Sequence, residues 1–216
     1  MPGKFEIYLP VGINGMMSPV KKSAAPPKDK QAALMAAALQ LFTQKGYAAS
    51  SVREIVARAG VTKPVLYYYF RNKEDLYLAL IQRFVTRIDA LLNDAPADGG
   101  SWKNHLLGFF DRTFLVIFEN IDDFRLMHAI YYGPPQGAPY FDFDSYHAKY
   151  HGRAMLMVES GIAAGEFRPG DAGDMAWALT GACQVALEEQ LFAENARIDR
   201  KKLRKILNVI FEGISA

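Results

Sequence analysis

The sequence predicts an all-α protein, with a small three-helix head preceding a larger helical body. Apolar residues recur at helical spacing from Asp29 onward, and glycine, proline and capping residues separate the helical segments. Only "KFEIYL" at residues 4–9 weakly suggests a strand. The chain has 216 residues, half of them apolar, and a net charge of +2, which suits a folded core. We predict a tail at 1–27, a helix-turn-helix head at 28–75 and a body at 76–216.

Composition excludes several classes of protein. No stretch approaches the roughly 18 uninterrupted apolar residues that a membrane helix needs. The N-terminal stretch is interrupted by prolines and glycines, so it lacks the apolar core of a secretion signal. The single cysteine, Cys183, cannot form an internal disulfide, which fits a reducing compartment. We therefore expect a cytoplasmic protein that does not bind membranes.

The head contains three short helices with clear start and stop signals. The first, "DKQAALMAAALQLFTQKGY", is predicted to end at Gly46. The second begins at Ser51 and Glu54, which stand at capping-box spacing, and closes at Gly60. For the third, Thr62 is a predicted cap and Pro64 falls in the first turn, where a missing N–H costs little. The tight turn between the second and third helices predicts a helix-turn-helix.

A second cap signal, Asn72 with Asp75, predicts a long helix from about Lys73 to Leu92. Five further helices follow it, separated by "DAPADGG", "GPPQGAP" and "EFRPGDAG". They correspond to "WKNHLLGFFDRTFLVIFEN", "DDFRLMHAIYY", "YFDFDSYHAKYHGRAMLMVESGIAAG", "DMAWALTGACQVALEEQLFAEN" and "DRKKLRKILNVIFEGI".

The run "LYYYF" at residues 66–70 cannot be buried on all sides of one helix. At 100° per residue, Leu66, Tyr69 and Phe70 share a face, whereas Tyr67 and Tyr68 point away from it. Pro64 lies on the outward side and Lys63 beside it. Such a face suits the major groove of DNA, although it could also be an ordinary solvated surface. Lys73 would add a cation and a backbone N–H for a phosphate.

Charge favours DNA as the partner of the head. Residues 28–75 carry eight basic and four acidic side chains, whereas residues 76–216 carry 14 and 18. A basic head on an acidic body indicates that the head meets the polyanion.

Residues 29–76 resemble the DNA-binding domain of TetR-family (tetracycline repressor-like) bacterial transcription regulators. The resemblance is carried by "AALQLFTQKGYAASSVREIVARAGVTKPVLYYYFRNKEDL". It departs from the family at Pro64, where glycine is common, and at Tyr69, where histidine is frequent. The residues that it implies for DNA contact are Ser51, Arg53, Thr62, Lys63, Pro64, Tyr67, Tyr68 and Lys73.

The same resemblance implies that the body binds a small effector and forms dimers. Taken singly, each aromatic residue at helical spacing is better explained by core packing, but together they could line an apolar cavity. A largely apolar effector is favoured, with Arg112 and His128 as its polar anchors. The predicted ligand-binding residues are Phe110, Arg112, Phe114, His128, Tyr132, Tyr146 and Tyr150.

Neither a metal site nor an enzyme is predicted. Asp144, His147 and His151 share a helix face, but a solvated or pocket-edge face explains them better than zinc. Glu188 and Glu189 are adjacent and diverge by 100°. We found no phosphate loop, nucleophile elbow or paired carboxylates, and we expect no cofactor.

The predicted function is a homodimeric transcriptional repressor that a small effector releases from a pseudo-palindromic operator. The dimer would form through the apolar faces of the last two helices, although these could close the monomer core instead. Three alternatives remain open: a helical DNA-binding protein without an effector, an activator, and a helical enzyme that shares the fold.

Overall fold

The computed structural model describes residues 28–93, 100–133, 137–192 and 196–215. The predicted tail and the "KFEIYL" segment lie outside them. The described residues form nine α-helices and contain no strand, which confirms the predicted all-α class. The helices are α1 (Lys28–Ala49), α2 (Val52–Arg58), α3 (Lys63–Tyr69), α4 (Lys73–Leu92), α5 (Trp102–Glu119), α6 (Ile121–Tyr132), α7 (Phe143–Ala163), α8 (Ala172–Phe192) and α9 (Arg200–Ile214).

The first helix of the head is interrupted where the sequence predicts its end. Gly46 has φ 83° and ψ 166°, a conformation that L-residues with side chains rarely adopt, so the straight part of α1 stops there. The last turn, which includes Tyr47, runs in a new direction towards α2. Buried Leu34, Ala38 and Phe42 form the inner face of α1, as predicted.

The helix-turn-helix is fixed by local hydrogen bonds. The capping box is present, since Ser51 Oγ accepts from Glu54 N at 3.3 Å and Ser51 N donates to Glu54 Oε2 at 3.0 Å. Gly60 supplies the positive φ of 65° in the turn that follows α2. Thr62 occupies the N-cap position of α3, but its side chain makes no capping hydrogen bond, contrary to the prediction.

The long helix α4 starts in the head and continues into the body. Asn72 Oδ1 accepts from Asp75 N at 2.7 Å, and the bounds Lys73–Leu92 agree with the prediction. The predicted boundary between head and body therefore falls in the first turn of a continuous helix. Its inner face, which includes Leu76, Leu80 and Phe84, is buried along its length.

The body surrounds α5, which packs against α4, α7, α8 and α9, while α7 and α8 form the most extensive pair. Helix α6 packs against both α1 and α4, so it joins the body to the head. A single apolar core extends from Leu34 in α1 to Ile214 at the end of α9.

The segment "GEFRP" ties three helix ends together. Glu166 Oε2 accepts from the N-terminal amide of α5 at Trp102, 2.8 Å away. The Phe167 ring is buried and stacks on Phe211 of α9, and a side chain at Gly161 would collide with it. Arg168 N donates to Ile214 O at 2.8 Å. This segment therefore serves packing and helix capping.

Most of the apolar residues in α8 and α9 close the core of the chain itself. Leu179, Leu187 and Leu207 are buried within it, which agrees with the alternative noted for these faces. Other large apolar side chains of the same two helices are exposed: Trp177, Val185, Phe192 and Val209. Across the described ranges, we find no helix that combines the length and apolarity required to cross a membrane.

Candidate functional sites

The outward face of α3 is formed by the tyrosines that the sequence predicted. Tyr67 is 53% and Tyr68 58% exposed, whereas Leu66 and Phe70 are buried. Tyr69 is half-buried, and its ring packs against those of Tyr68 and Phe70. The predicted face assignment is therefore confirmed.

The other residues predicted to contact DNA surround this face. Thr62, Lys63 and Pro64 are exposed at the start of α3. Arg53 is exposed in the first turn of α2. Ser51 is also exposed, but its hydroxyl donates to Glu54 Oε2 at 2.8 Å and accepts from Glu54 N, so it belongs to the capping box.

The side chain of Lys73 is bonded within the head, whereas the sequence predicted that its charge would face a DNA phosphate. Its ammonium donates to the carbonyl oxygens of Tyr47 at 2.9 Å and Ser50 at 3.0 Å, and it lies 4.0 Å from the centroid of the Tyr47 ring. Burial lowers the pKa of Lys73, since it removes water from the charged form. The side chain thus caps the end of α1, because those carbonyls have no partner within the helix. Its backbone N–H at the start of α4 still suits a phosphate.

Ion pairs join the helices of the head. Glu54 of the capping box also pairs with Lys45 of α1. Hydrogen bonds from Lys45 and from Ser51 lower the pKa of Glu54 to about 2. Arg71 pairs with Asp75 across the start of α4 and lowers the pKa of that carboxyl. The first pair joins α2 to α1, and the second fixes the turn between α3 and α4.

The body contains a cavity of about 120 Å³ between α4, α5, α6, α7 and α8. Aromatic rings make up most of its wall, and α4 contributes aliphatic and aromatic side chains from its C-terminal half. The lining residues are Phe84, Val85, Ile88, Thr113, Ile117, Phe124, Met127, His128, Tyr131, Tyr132, Phe141, Phe143, Tyr146, His147, Tyr150, Gln184 and Leu187.

Four of the seven predicted ligand-binding residues line this cavity: His128, Tyr132, Tyr146 and Tyr150. Phe110, Arg112 and Phe114 do not. On α5 the side chains that face the cavity are Thr113 and Ile117, so Phe110 and Phe114 are buried elsewhere in the core and Arg112 is exposed. Arg112 therefore cannot anchor a ligand held in this cavity.

Two tyrosine hydroxyls of the cavity lie close to polar side chains of neighbouring helices. Tyr146 Oη donates to Asp89 Oδ2 at 3.0 Å, and burial together with this carboxylate raises the pKa of Tyr146 to about 12. Tyr150 Oη lies 3.8 Å from Cys183 Sγ. Burial raises the pKa of the Cys183 thiol to about 12, so at neutral pH it is protonated and unreactive.

The two adjacent glutamates of α8 have different partners, as their divergence predicted. Glu188 accepts from Gln184 Nε2 at 2.9 Å and lies 3.7 Å from His128 Nε2. Glu189 pairs with Arg197 in the segment before α9. Glu188 thus contacts two residues of the cavity wall, and Glu189 takes part in the packing of α9.

A buried carboxylate connects α4 to α6 beside the cavity. Asp123 is 5% exposed and pairs with both Arg83 and Arg87 of α4. A buried carboxylate needs such partners, because desolvation of an unpaired charge is costly. The relative position of α4 and α6 is therefore tied to these two ion pairs.

Several cavity residues were not predicted as ligand-binding. Phe141 and Phe143 flank the start of α7, and the "YFDF" run that contains them was the available signal. His147 lines the cavity, and burial lowers its pKa. His151 instead stacks on Trp177, with ring centroids 4.1 Å apart. The ranges that the structure describes contain no group of three or more potential metal ligands.

Comparison with known proteins agrees with this architecture. Residues 34–80 match the bacterial regulatory proteins of the tetR family. The transcriptional activator FasR of Mycolicibacterium smegmatis is 44% identical over 102 residues, which cover 47% of each chain. The transcriptional repressor ComR of Escherichia coli is 44% identical over 73 residues, or 33% of this chain and 34% of ComR. The matched part thus spans less than half the length of these relatives.

The whole fold also has a counterpart among solved structures. A TetR family regulator from Chloroflexus aurantiacus superposes with a TM-score of 0.67 at 24% identity, over 88% of this chain and 95% of that one. The helix-turn-helix segment at residues 34–80 thus matches the tetR family of bacterial regulatory proteins, and the described chain shares its fold with a solved TetR family regulator.

Proposed function

We propose that this chain is a sequence-specific DNA-binding transcriptional regulator of the cytoplasm, which acts as a homodimer and responds to a small effector. The observation that carries the DNA-binding part is the exposed pair Tyr67 and Tyr68 on α3. Buried Leu66 and Phe70 seat the opposite face of this helix, so its orientation is fixed before DNA arrives. A preorganised helix with exposed polar tips can contact base edges in the major groove.

Cationic side chains lie where phosphates would flank such a helix. Lys63 precedes the tyrosines on α3, and Arg53 is exposed at the start of α2. Each neutralised phosphate releases counterions and contributes to affinity, so binding weakens as salt rises. We assign phosphate contacts to Arg53, Lys63 and the Lys73 backbone N–H, and base contacts to Tyr67, Tyr68 and the exposed start of α3.

The test begins by selecting bound sequences from a random DNA pool with the full chain. Affinity for the selected operator is then measured for Tyr67→Ala and Tyr68→Ala. We expect each substitution to weaken binding by about 1–3 kcal/mol, the range for a lost base contact, with the melting temperature nearly unchanged. Glu159→Gln, an exposed site on α7, is the control. Unchanged operator affinity in both tyrosine variants would refute the proposed DNA-binding surface.

The dimer is proposed to form through the exposed apolar side chains of α8 and α9. Trp177 and Val185 are two turns apart on α8, and Val209 is 67% exposed on α9. Two such helices from each protomer would form a four-helix bundle and place two heads on successive major grooves, roughly 34–36 Å apart. Trp177→Glu should shift the protein towards monomer in sedimentation and abolish cooperative binding to the palindrome.

The effector is proposed to occupy the aromatic cavity of the body. Helices α4 and α6 both line it and both pack against α1 of the head. An effector that prefers one arrangement of α4 and α6 would favour one spacing of the two heads, and operator affinity would change accordingly.

We propose release from the operator, and thus repression, with activation as the alternative. The names of FasR and ComR include both an activator and a repressor. A reporter gene placed under the selected operator distinguishes repression from activation. Deletion of the regulator raises reporter transcription if it is a repressor and lowers it if it is an activator.

A further inference from the structure

The chemistry of the cavity wall indicates which class of effector it accepts. A groove of about 660 Å³ adjoins the cavity, and the two share five side chains. The shared residues are Tyr131, Tyr132, His147, Tyr150 and Gln184. At about 120 Å³ the cavity is somewhat smaller than the roughly 150 Å³ apolar cavity that accepts benzene, so it accommodates at most one ring or one compact cationic group. The rest of a larger ligand would extend into the groove.

Three hydroxyl hydrogens around the cavity are directed away from a ligand. Tyr131 Oη donates to Asp144 Oδ1 at 3.1 Å, and Tyr146 Oη donates to Asp89 Oδ2 at 3.0 Å. The hydroxyl of Thr113 donates to the carbonyl oxygen of Phe109 at 2.9 Å. A hydroxyl has one hydrogen, so these oxygens offer a ligand only their lone pairs. These three oxygens therefore turn the negative ends of their dipoles towards the cavity, which favours positive charge there.

Three carboxylates outside the lining are hydrogen-bonded to residues of the cavity wall. Asp89 and Asp144 hold the phenols, and Glu188 is held beside His128 by Gln184. Among the described lining residues there is no lysine and no arginine. Lys149, an exposed residue of α7 outside the lining, has its Nζ 4.9 Å from the Tyr146 ring centroid. An anion in the cavity would face wall residues that are hydrogen-bonded to these carboxylates, and the basic side chains of the described wall are two histidines, His128 and His147.

Ring faces add a second attraction for positive charge. Phe124, Tyr132, Phe143 and Tyr150 are among the rings that line the cavity. The face of such a ring carries negative electrostatic potential, and a cation within about 6 Å of it is attracted. Desolvation in a closed site increases this attraction, and nearby carboxylates add to it.

We propose that the effector is a lipophilic cation, an aromatic amine or a quaternary ammonium compound, whose charged group lies among the rings beside Glu188. Carboxylate-bearing compounds are excluded. The inference rests on the proposed function, since it assigns a ligand class to the effector site of a DNA-binding regulator.

The test compares three monosubstituted benzenes that differ in charge, on the full chain. Phenyltrimethylammonium, its neutral isostere tert-butylbenzene and the anion benzoate are titrated by calorimetry at submillimolar concentrations. We expect the cation to bind about tenfold more tightly than the neutral compound, and benzoate to bind most weakly. Glu188→Gln keeps the side-chain shape and should weaken cation binding about fivefold, with the neutral compound unaffected. Glu159→Gln, exposed on α7, should leave all three affinities unchanged.

Three results would overturn the ligand class: benzoate binding as tightly as the cation, no saturable cation binding, or an unchanged preference in Glu188→Gln. Operator affinity is measured separately with and without the cation. Tight cation binding that leaves operator affinity unchanged would refute the proposed coupling to DNA and would leave the ligand class standing.

Discussion

The Lys73 side chain allows a sharp test of structural against DNA-contacting roles. Its ammonium makes two hydrogen bonds to carbonyls at the end of α1 and one cation–π contact with Tyr47. We consider Lys73→Met, which retains the apolar stem and removes the charge. Because the carbonyl partners lie 26 and 23 residues away in sequence, the substitution also removes a link between α1 and α4.

The expected cost follows from these contacts. A hydrogen bond to a charged group contributes about 1.5–3 kcal/mol, and an exposed cation–π contact about 0.5–1 kcal/mol. Lys73 is half-buried, so solvent screening reduces both contributions. We expect a loss of about 2 kcal/mol in the free energy of unfolding, or roughly 6 °C in melting temperature for a chain of this size.

The assay combines urea unfolding with operator titrations at several salt concentrations. Loss of one phosphate contact lowers the slope of log K against log salt by about 0.9 per protomer. Lys73→Met should therefore destabilise the protein and leave this slope unchanged. Lys63→Met, at an exposed site on α3, should lower the slope and leave stability unchanged. A stable Lys73→Met variant with a slope lowered by about 0.9 would refute the capping role and restore the phosphate contact.

Three further predictions concern stability. Phe70→Ala should destabilise the head by about 3–5 kcal/mol in urea unfolding, because Phe70 is buried, whereas exposed Tyr68→Ala should not; equal effects would reverse the face assignment. Glu54→Gln keeps the capping geometry but loses the charged pair with Lys45. Since the Glu54 pKa falls from 4.5 unfolded to about 2 folded, the melting-temperature advantage of the parent should persist above pH 4.5 and disappear as the pH falls towards 2. A constant difference across that range would contradict the pair. Asp123→Asn should lower the free energy of unfolding in urea by about 2–4 kcal/mol, because it leaves the two arginine partners of Asp123 uncompensated. A loss below about 0.5 kcal/mol would contradict a stabilising role for these ion pairs.

The head was largely predictable because its determinants are local. Ser51 with Glu54 and Asn72 with Asp75 lie three residues apart, so each pair fixes a helix start without help from the rest of the chain. The assignment of Tyr67 and Tyr68 to the exposed face and of Leu66 to the buried face is also local, because it needs only the 100° rotation per residue of a helix. The Lys73 partners lie outside any local pattern, and its capping role was therefore missed.

The cavity was only partly predictable because it depends on how helices rotate against each other. Phe110 and Thr113 lie within one turn of α5, and either could have faced a ligand. Packing against the surrounding helices turns Thr113 towards the cavity and Phe110 into the core. The aromatic content predicted a ring-lined site. The hydrogen bonds that determine which ligands this site favours depend on the three-dimensional structure and could not be predicted from the sequence.

Helix α6 contacts both the cavity and the DNA-binding head, as coupling between effector and operator would require. Thermodynamic linkage makes such coupling reciprocal. The helix contributes Phe124, Met127 and His128 to the cavity and packs against α1 of the head. If the effector weakens operator binding by a given factor, the operator must weaken effector binding by the same factor. Each factor of ten corresponds to about 1.4 kcal/mol. Excess operator DNA would then behave as a competitor that never touches the cavity. An effector titration run with and without DNA would measure the coupling from the opposite end of the molecule.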